Sequence, residues 1–147
     1  MRTLYLSVDK VFDEETSTWT LVGKDTKGED FGVAAGDTLD AAERRLRDWV
    51  LDSLIASAAD GDDRIGDLTA NEPALKGGFL AFTPLDLIPI KMRAIRAKHH
   101  LSQSDVAERL GISQQAYGKL ERPGANLQLR TIQQVERAVD EPILEFA

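Results

Sequence analysis

The sequence predicts an α+β chain: a small antiparallel sheet with one long helix, followed by an all-helical C-terminal module. Three observations carry this. Up to Gly36 the apolar residues alternate with a period of two. From Leu39 to Ala59 they recur at helical spacing. Beyond Pro89 the periodic segments are helical, with Ser102 and Ser113 as starts and Gly111 and Pro123-Gly124 as stops.

In order, Leu4, Leu6 and Val8 alternate with Tyr5 and Ser7 to give a first strand, closed by the polar turn Asp13–Ser17. Trp19, Leu21 and Gly23 carry a second strand. After the turn Lys24–Asp30, which contains Gly28, Phe31, Val33 and Ala35 carry a third, ending at Gly36. Asp37 or Thr38 then caps a helix by accepting from a free backbone N–H. Its inner face is predicted to hold Leu39, Ala42, Leu46, Trp49, Val50, Ser53, Leu54, Ser57 and Ala58, with Trp49 in the core. Glu43, Arg44, Arg47, Asp48 and Asp52 form the wet side. Asp60-Gly61-Asp62-Asp63 ends the helix. Ile65–Lys76 has no period, contains Pro73 and reads as loop. Phe79–Phe82 is a fourth strand, and Thr83-Pro84 marks a boundary. Two domains are expected, 1–84 and 85–147.

The C-terminal module is expected to hold four helices. Pro89 sits in the first turn of the first, where a missing N–H costs nothing; Ile90, Ala94 and Ile95 mark its inner face, and it ends near His99. Ser102 opens the second, with Asp105 completing a capping box, and Gly111 ends it. Ser113 caps the third, which Pro123-Gly124 breaks. Leu129–Val139 is the fourth, and Pro142 begins a tail.

Composition narrows the function. The chain has 147 residues, 42% of them hydrophobic, enough to form a core. It has no cysteine, which excludes disulfides and thiolate metal sites. No apolar run approaches the roughly 20 residues a bilayer requires, and Met1-Arg2-Thr3-Leu4-Tyr5 lacks the pattern of a signal peptide. A cytoplasmic location is therefore expected. The net charge of −7 is uneven: Met1–Leu85 has nine Lys and Arg against 17 Asp and Glu, whereas Lys91–Arg137 has nine against four. An acidic front and a basic back suggest two modules with different partners.

The informative segment runs from Gln103 to Glu121. Ala107 is small where two helices cross, Gly111 supplies a left-handed turn residue, and Val106, Leu110, Ile112, Tyr117 and Leu120 are expected to bury the inner face. The outer face of the second helix is polar, as a helix entering a DNA major groove requires. Gln114 and Gln115 open that helix, and each can bind adenine N6 and N7 in a bidentate manner. Lys119 can reach a guanine edge or a phosphate. Ser102 and Gln103 sit where a backbone N–H and a side-chain amide can hold a phosphate. Ser113 caps the helix, and Arg122 and Asn126 follow it toward the adjacent backbone.

Leu101–Glu121 resembles the Cro/phage-repressor (XRE) helix-turn-helix family, with the likeness running from about Ile90 to Val139. Tyr117 stands where that family usually has Val or Ile, Gly118 lies inside the recognition helix, and Arg122-Pro123-Gly124 replaces a turn one residue shorter. The front resembles the HicB antitoxins, on the segment Gly36-Asp37-Thr38-Leu39-Asp40-Ala41-Ala42 and the order of three strands, helix, strand and DNA-binding domain. Trp19-Thr20-Leu21-Val22 departs from that family's second-strand region. The likeness implies a truncated ribonuclease-H-like fold, neutralisation of a HicA-like mRNA-cleaving toxin, and repression of the chain's own operon by a homodimer or higher homo-oligomer on operator DNA. A repressor whose front domain binds a small effector or only dimerises is the alternative.

No enzymatic activity, metal or cofactor is expected. Asp9 and Asp13 do not form the converging carboxylates of a metal-dependent nuclease. Asp60–Gly66 lacks the carboxylate alternation of a calcium loop. His99-His100 are read as complementing a helix dipole. Arg93, Arg96, Lys98 and Arg130 are read as mostly solvated charges, of which one or two touch DNA.

Overall fold

The computed structural model describes residues 2–70 and 78–144. Among these residues, four strands and five α-helices follow in the order β1 (Leu4–Asp13), β2 (Thr18–Lys24), β3 (Asp30–Gly36), α1 (Leu39–Ala59), β4 (Phe79–Phe82), α2 (Pro84–Lys98), α3 (Gln103–Leu110), α4 (Gln114–Leu120) and α5 (Leu129–Val139). The α+β class is as expected. The chain divides into two compact units, Arg2–Ser53 with Gly66–Phe82, and Leu54–Ile65 with Thr83–Ala147.

The first unit is built on an antiparallel sheet of order β3-β2-β1-β4. Phe12 faces Trp19 across β1 and β2, and Leu6 faces Leu80 across β1 and β4. Alternation places Leu6, Val8, Leu21, Leu80 and Phe82 in the core with Phe31. The cap of α1 is Thr38, not Asp37: the Thr38 hydroxyl accepts from the Ala41 N–H at 3.1 Å. Its buried stripe is Ala42, Leu46, Val50, Leu54 and Ala58, a strict four-residue spacing. Arg45 and Arg47 donate to the Ala35 and Ala81 carbonyls of the sheet, each at 2.7 Å.

Trp49 is not in the core. It flanks the four-residue stripe and is 45% exposed, its ring edge-on to Phe31 and seated over Gly32. Within the segment read as loop, Arg64–Asp67 forms a 3₁₀ turn, and Thr69 exchanges two backbone hydrogen bonds with Tyr5 at 2.8 and 2.9 Å. The remainder of that segment, including Pro73, lies outside the described residues. Among the described residues, no helix is long and apolar enough to cross a membrane.

In the second unit, Ile88, Met92 and Ile95 of α2, Val106 and Ala107 of α3, Tyr117 of α4, Ile132, Val135 and Val139 of α5, and Ile143 form one core. α2 starts earlier than the sequence suggests. Thr83 and Asp86 form a reciprocal capping box with Pro84 at the first helical position, so Pro89 lies inside the helix rather than in its first turn. Ile112 is also displaced from its expected place. It sits in the short turn between α3 and α4, off the inner face of both, and is 39% exposed.

Candidate nucleic-acid interface

α3 and α4 are joined by three residues, Gly111-Ile112-Ser113. Gly111 takes φ +71, and its amide and that of Ile112 donate back to carbonyls of the last turn of α3. Both helices are capped by the expected serines. The Ser102 hydroxyl accepts from the Asp105 N–H at 3.0 Å, while the Asp105 carboxylate accepts from the Ser102 N–H at 2.7 Å. The backbone donation from Ser102 holds the Asp105 carboxyl below its ordinary range, with the Ser102 side chain adding to this. The Ser113 hydroxyl accepts from the Ala116 N–H at 3.1 Å. Ser102→Ala should therefore cost about 1 kcal/mol of stability in urea denaturation followed by helicity, and Ser113→Ala a similar amount.

Gln103, Gln114, Gln115, Lys119 and Arg122, five of the residues singled out in the sequence, line one open concavity of about 520 Å³, together with Arg93 and Gly118. Gln114, Gln115, Lys119 and Arg122 are exposed. Asn126 is exposed as well but does not line this concavity.

Beneath the concavity lies a polar chain that the sequence reading does not contain. Glu121, which ends α4, is fully buried. Arg96 of α2 donates to it twice, Nε to Oε1 at 2.6 Å and Nη2 to Oε2 at 3.0 Å. A third Arg96 nitrogen donates to the Leu101 carbonyl at 2.9 Å. The bonds to Glu121 raise the Arg96 pKa above its ordinary value. Gln103 Nε2 donates to Glu121 Oε2 at 3.0 Å, and Gln114 Nε2 donates to Gln103 Oε1 at 2.7 Å. A relay of directed hydrogen bonds thus runs from the buried arginine to the first residue of α4. Of its members, the sequence assigns Gln103 and Gln114 to the interface, reads Arg96 as a mostly solvated charge and gives Glu121 no role.

Arg96 is accordingly not a solvated charge; its side chain is 15% exposed. Arg93 approaches the same carboxylate at 3.6 Å and is 23% exposed. Their spacing of three places both on one side of α2, but nothing local indicates a partner 25 residues away.

Of the two departures inside the motif, Gly118 acquires a physical reason here. A Cβ on Gly118 would stand 3.2 Å from Gln103 Oε1, so the missing side chain leaves room for the Gln103–Gln114 pair. Tyr117 is fully buried, and its hydroxyl finds no hydrogen-bond partner of normal geometry among the described residues. Burial, reinforced by the Glu121 charge, pushes this phenol far above its ordinary range, so it stays neutral. At the other end of α2, Lys98 and His99 hold Glu141 at 3.1 and 2.7 Å.

Residues 92–146 match the Helix-turn-helix family. This agrees with a Cro/C1-type helix-turn-helix in the C-terminal part of the chain and with a role in DNA-binding transcription regulation. No curated protein matches the chain.

Proposed function

We propose that the chain is a transcriptional regulator that reads operator DNA through α4, and that its front is a HicB-like domain that neutralises a HicA-like mRNA-cleaving toxin. The observation that carries the DNA reading is the convergence of Gln103, Gln114, Gln115, Lys119 and Arg122 on one exposed concavity at the start of a capped helix. Gln114 and Gln115 read base edges, because a carboxamide both donates and accepts. Gln103, already bonded to Gln114, fixes how that amide is presented. Lys119, Arg122 and Asn126 neutralise or bond phosphates, and the Gln103 N–H in the first turn of α3 offers a backbone donor to another, the Ser102 N–H being held by Asp105. A homodimer would place two such surfaces on a palindrome.

The toxin reading rests on the segment Gly36–Ala42 and on the excess of acidic residues in Met1–Leu85, which suits a basic RNA-binding partner.

Replacing both Gln114 and Gln115 with alanine should lower affinity for the chain's own promoter at least about 30-fold, from two base contacts at the low end of their range. Binding to mixed-sequence duplex should change little. Equal losses on both DNAs, in a titration at fixed salt, would refute base reading by these two residues. For the front, a small basic ribonuclease encoded beside this gene should lose activity when the full chain is added. A neighbour that remains active would overturn the antitoxin assignment.

A further inference from the structure

Pro89 lies inside α2 and has no N–H to give the carbonyl four residues back, that of Leu85. The Leu85 carbonyl accepts instead from the Gly124 N–H, at 2.9 Å. Gly124 has φ +79, follows Pro123, and lies in a turn closed by the Ala125 N–H donating to the Arg122 carbonyl at 3.0 Å. Proline followed by a left-handed glycine is the pattern of a type II turn. Immediately before this turn, Glu121 is gripped by Arg96 of the same helix. Arg122 therefore stands between two tethers to α2, one through a side chain and one through the backbone.

We propose that Pro89 is a positioning residue for DNA contact. By withholding its N–H it leaves the Leu85 carbonyl to Gly124, and so fixes the Arg122–Ala125 turn with the Arg122 side chain at the lip of the concavity beside Lys119. The proline ring contributes as well, because it crowds the carbonyl four residues back and tilts it away from the helix axis. Any other residue at position 89 restores a competing donor and draws that carbonyl back into the helix. The extra residue of Arg122-Pro123-Gly124 then has a function: it carries the glycine amide out to α2. This inference rests on the reading of Arg122 as a phosphate contact.

The test uses the full chain and a labelled mixed-sequence duplex, with affinity measured across a salt series. Arg122→Ala should reduce the slope of log affinity against log salt by about one unit, as loss of one phosphate contact does. Pro89→Ala should reduce it by a similar amount while thermal unfolding shows the chain folded, and the double variant should lose little more than either single. Pro89→Val serves where alanine leaves a hole, since it also restores the N–H and keeps more bulk. Amide hydrogen exchange reads the tether directly: Gly124 should be protected in the wild type and lose that protection in the Pro89 variant. A reduced slope in Arg122→Ala with an unchanged slope in both Pro89 variants would overturn the positioning role and leave the phosphate contact standing. A Gly124 amide that exchanges freely in the wild type would overturn it without any variant. An unchanged slope in Arg122→Ala would remove the phosphate contact itself, and the positioning role with it.

Discussion

Glu121→Ala should destabilise the C-terminal unit by about 3–5 kcal/mol, the cost of removing one partner from a buried ion pair. Glu121 is fully buried, and its two oxygens accept from Arg96 twice and from Gln103 once. Alanine removes the counter-charge from an arginine that is itself mostly buried and cannot lose its proton. It also leaves Gln103 Nε2 without that acceptor. Glu121→Gln keeps the shape and part of the hydrogen bonding, so its cost should be smaller but still measurable. Helicity in urea is the proper readout, because both tryptophans, Trp19 and Trp49, belong to the other unit. A loss of less than about 1 kcal/mol, the scale of an exposed pair, would show that water rather than Glu121 satisfies Arg96. DNA binding by the folded fraction should fall too, since Gln103 would no longer be anchored from below and Gln114 would be free to turn.

That pair also shows where sequence reading stops. The caps at Ser102 and Ser113 and the turn at Gly111 were legible because each involves partners within a few residues. The same holds for the alternation in β1 and β2 and for the position of the exposed glutamines, but not for β3: Gly32 takes φ +97, and Val33, two residues after the buried Phe31, is 53% exposed together with Ala35. The Arg96–Glu121 bond was not, because charges on two helices carry no local sign of having met. Pro89 was misplaced for a related reason. A proline in the first turn needs no explanation, whereas a proline inside α2 is tolerated because its orphaned carbonyl is used by Gly124, 39 positions beyond Leu85. Trp49 and Ile112 failed differently. Periodicity assigns a residue to a face but not to the middle or the margin of that face, and Trp49 lies at the margin of the α1 stripe, whereas Ile112 lies in the turn and belongs to no helix face.

Gly36→Ala should cost the first unit about 2–3 kcal/mol, the upper part of the range for overpacking. A Cβ built there would lie 2.7 Å from the Ala42 nitrogen and 3.1 Å from the Ala41 carbonyl carbon and Cβ. Gly36 ends β3, and Thr38 caps α1 two residues later, so the strand end and the first turn of the helix are fixed in close approach. Backbone cannot swing aside as a side chain can, and relief requires α1 to shift away from its seat on the sheet. Gly32 offers the contrast. A Cβ there meets the Trp49 ring at 2.5 Å, but that ring is half exposed and can move, so most of the penalty for Gly32→Ala would come from its φ of +97. Tryptophan fluorescence in urea separates the two cases. Gly36→Ala should lower the midpoint by the overpacking cost, whereas Gly32→Ala should change the folded-state spectrum even where its midpoint falls less, because the exposed Trp49 ring over it is displaced. An unchanged midpoint for Gly36→Ala would mean that α1 can slide at no cost. The segment Gly36–Ala42, which resembles the HicB antitoxins, would then owe its pattern to something other than packing. A lowered midpoint would make it a packing motif first, a glycine that admits a helix start and a threonine that caps it. In that case the toxin assignment must stand on the partner experiment alone.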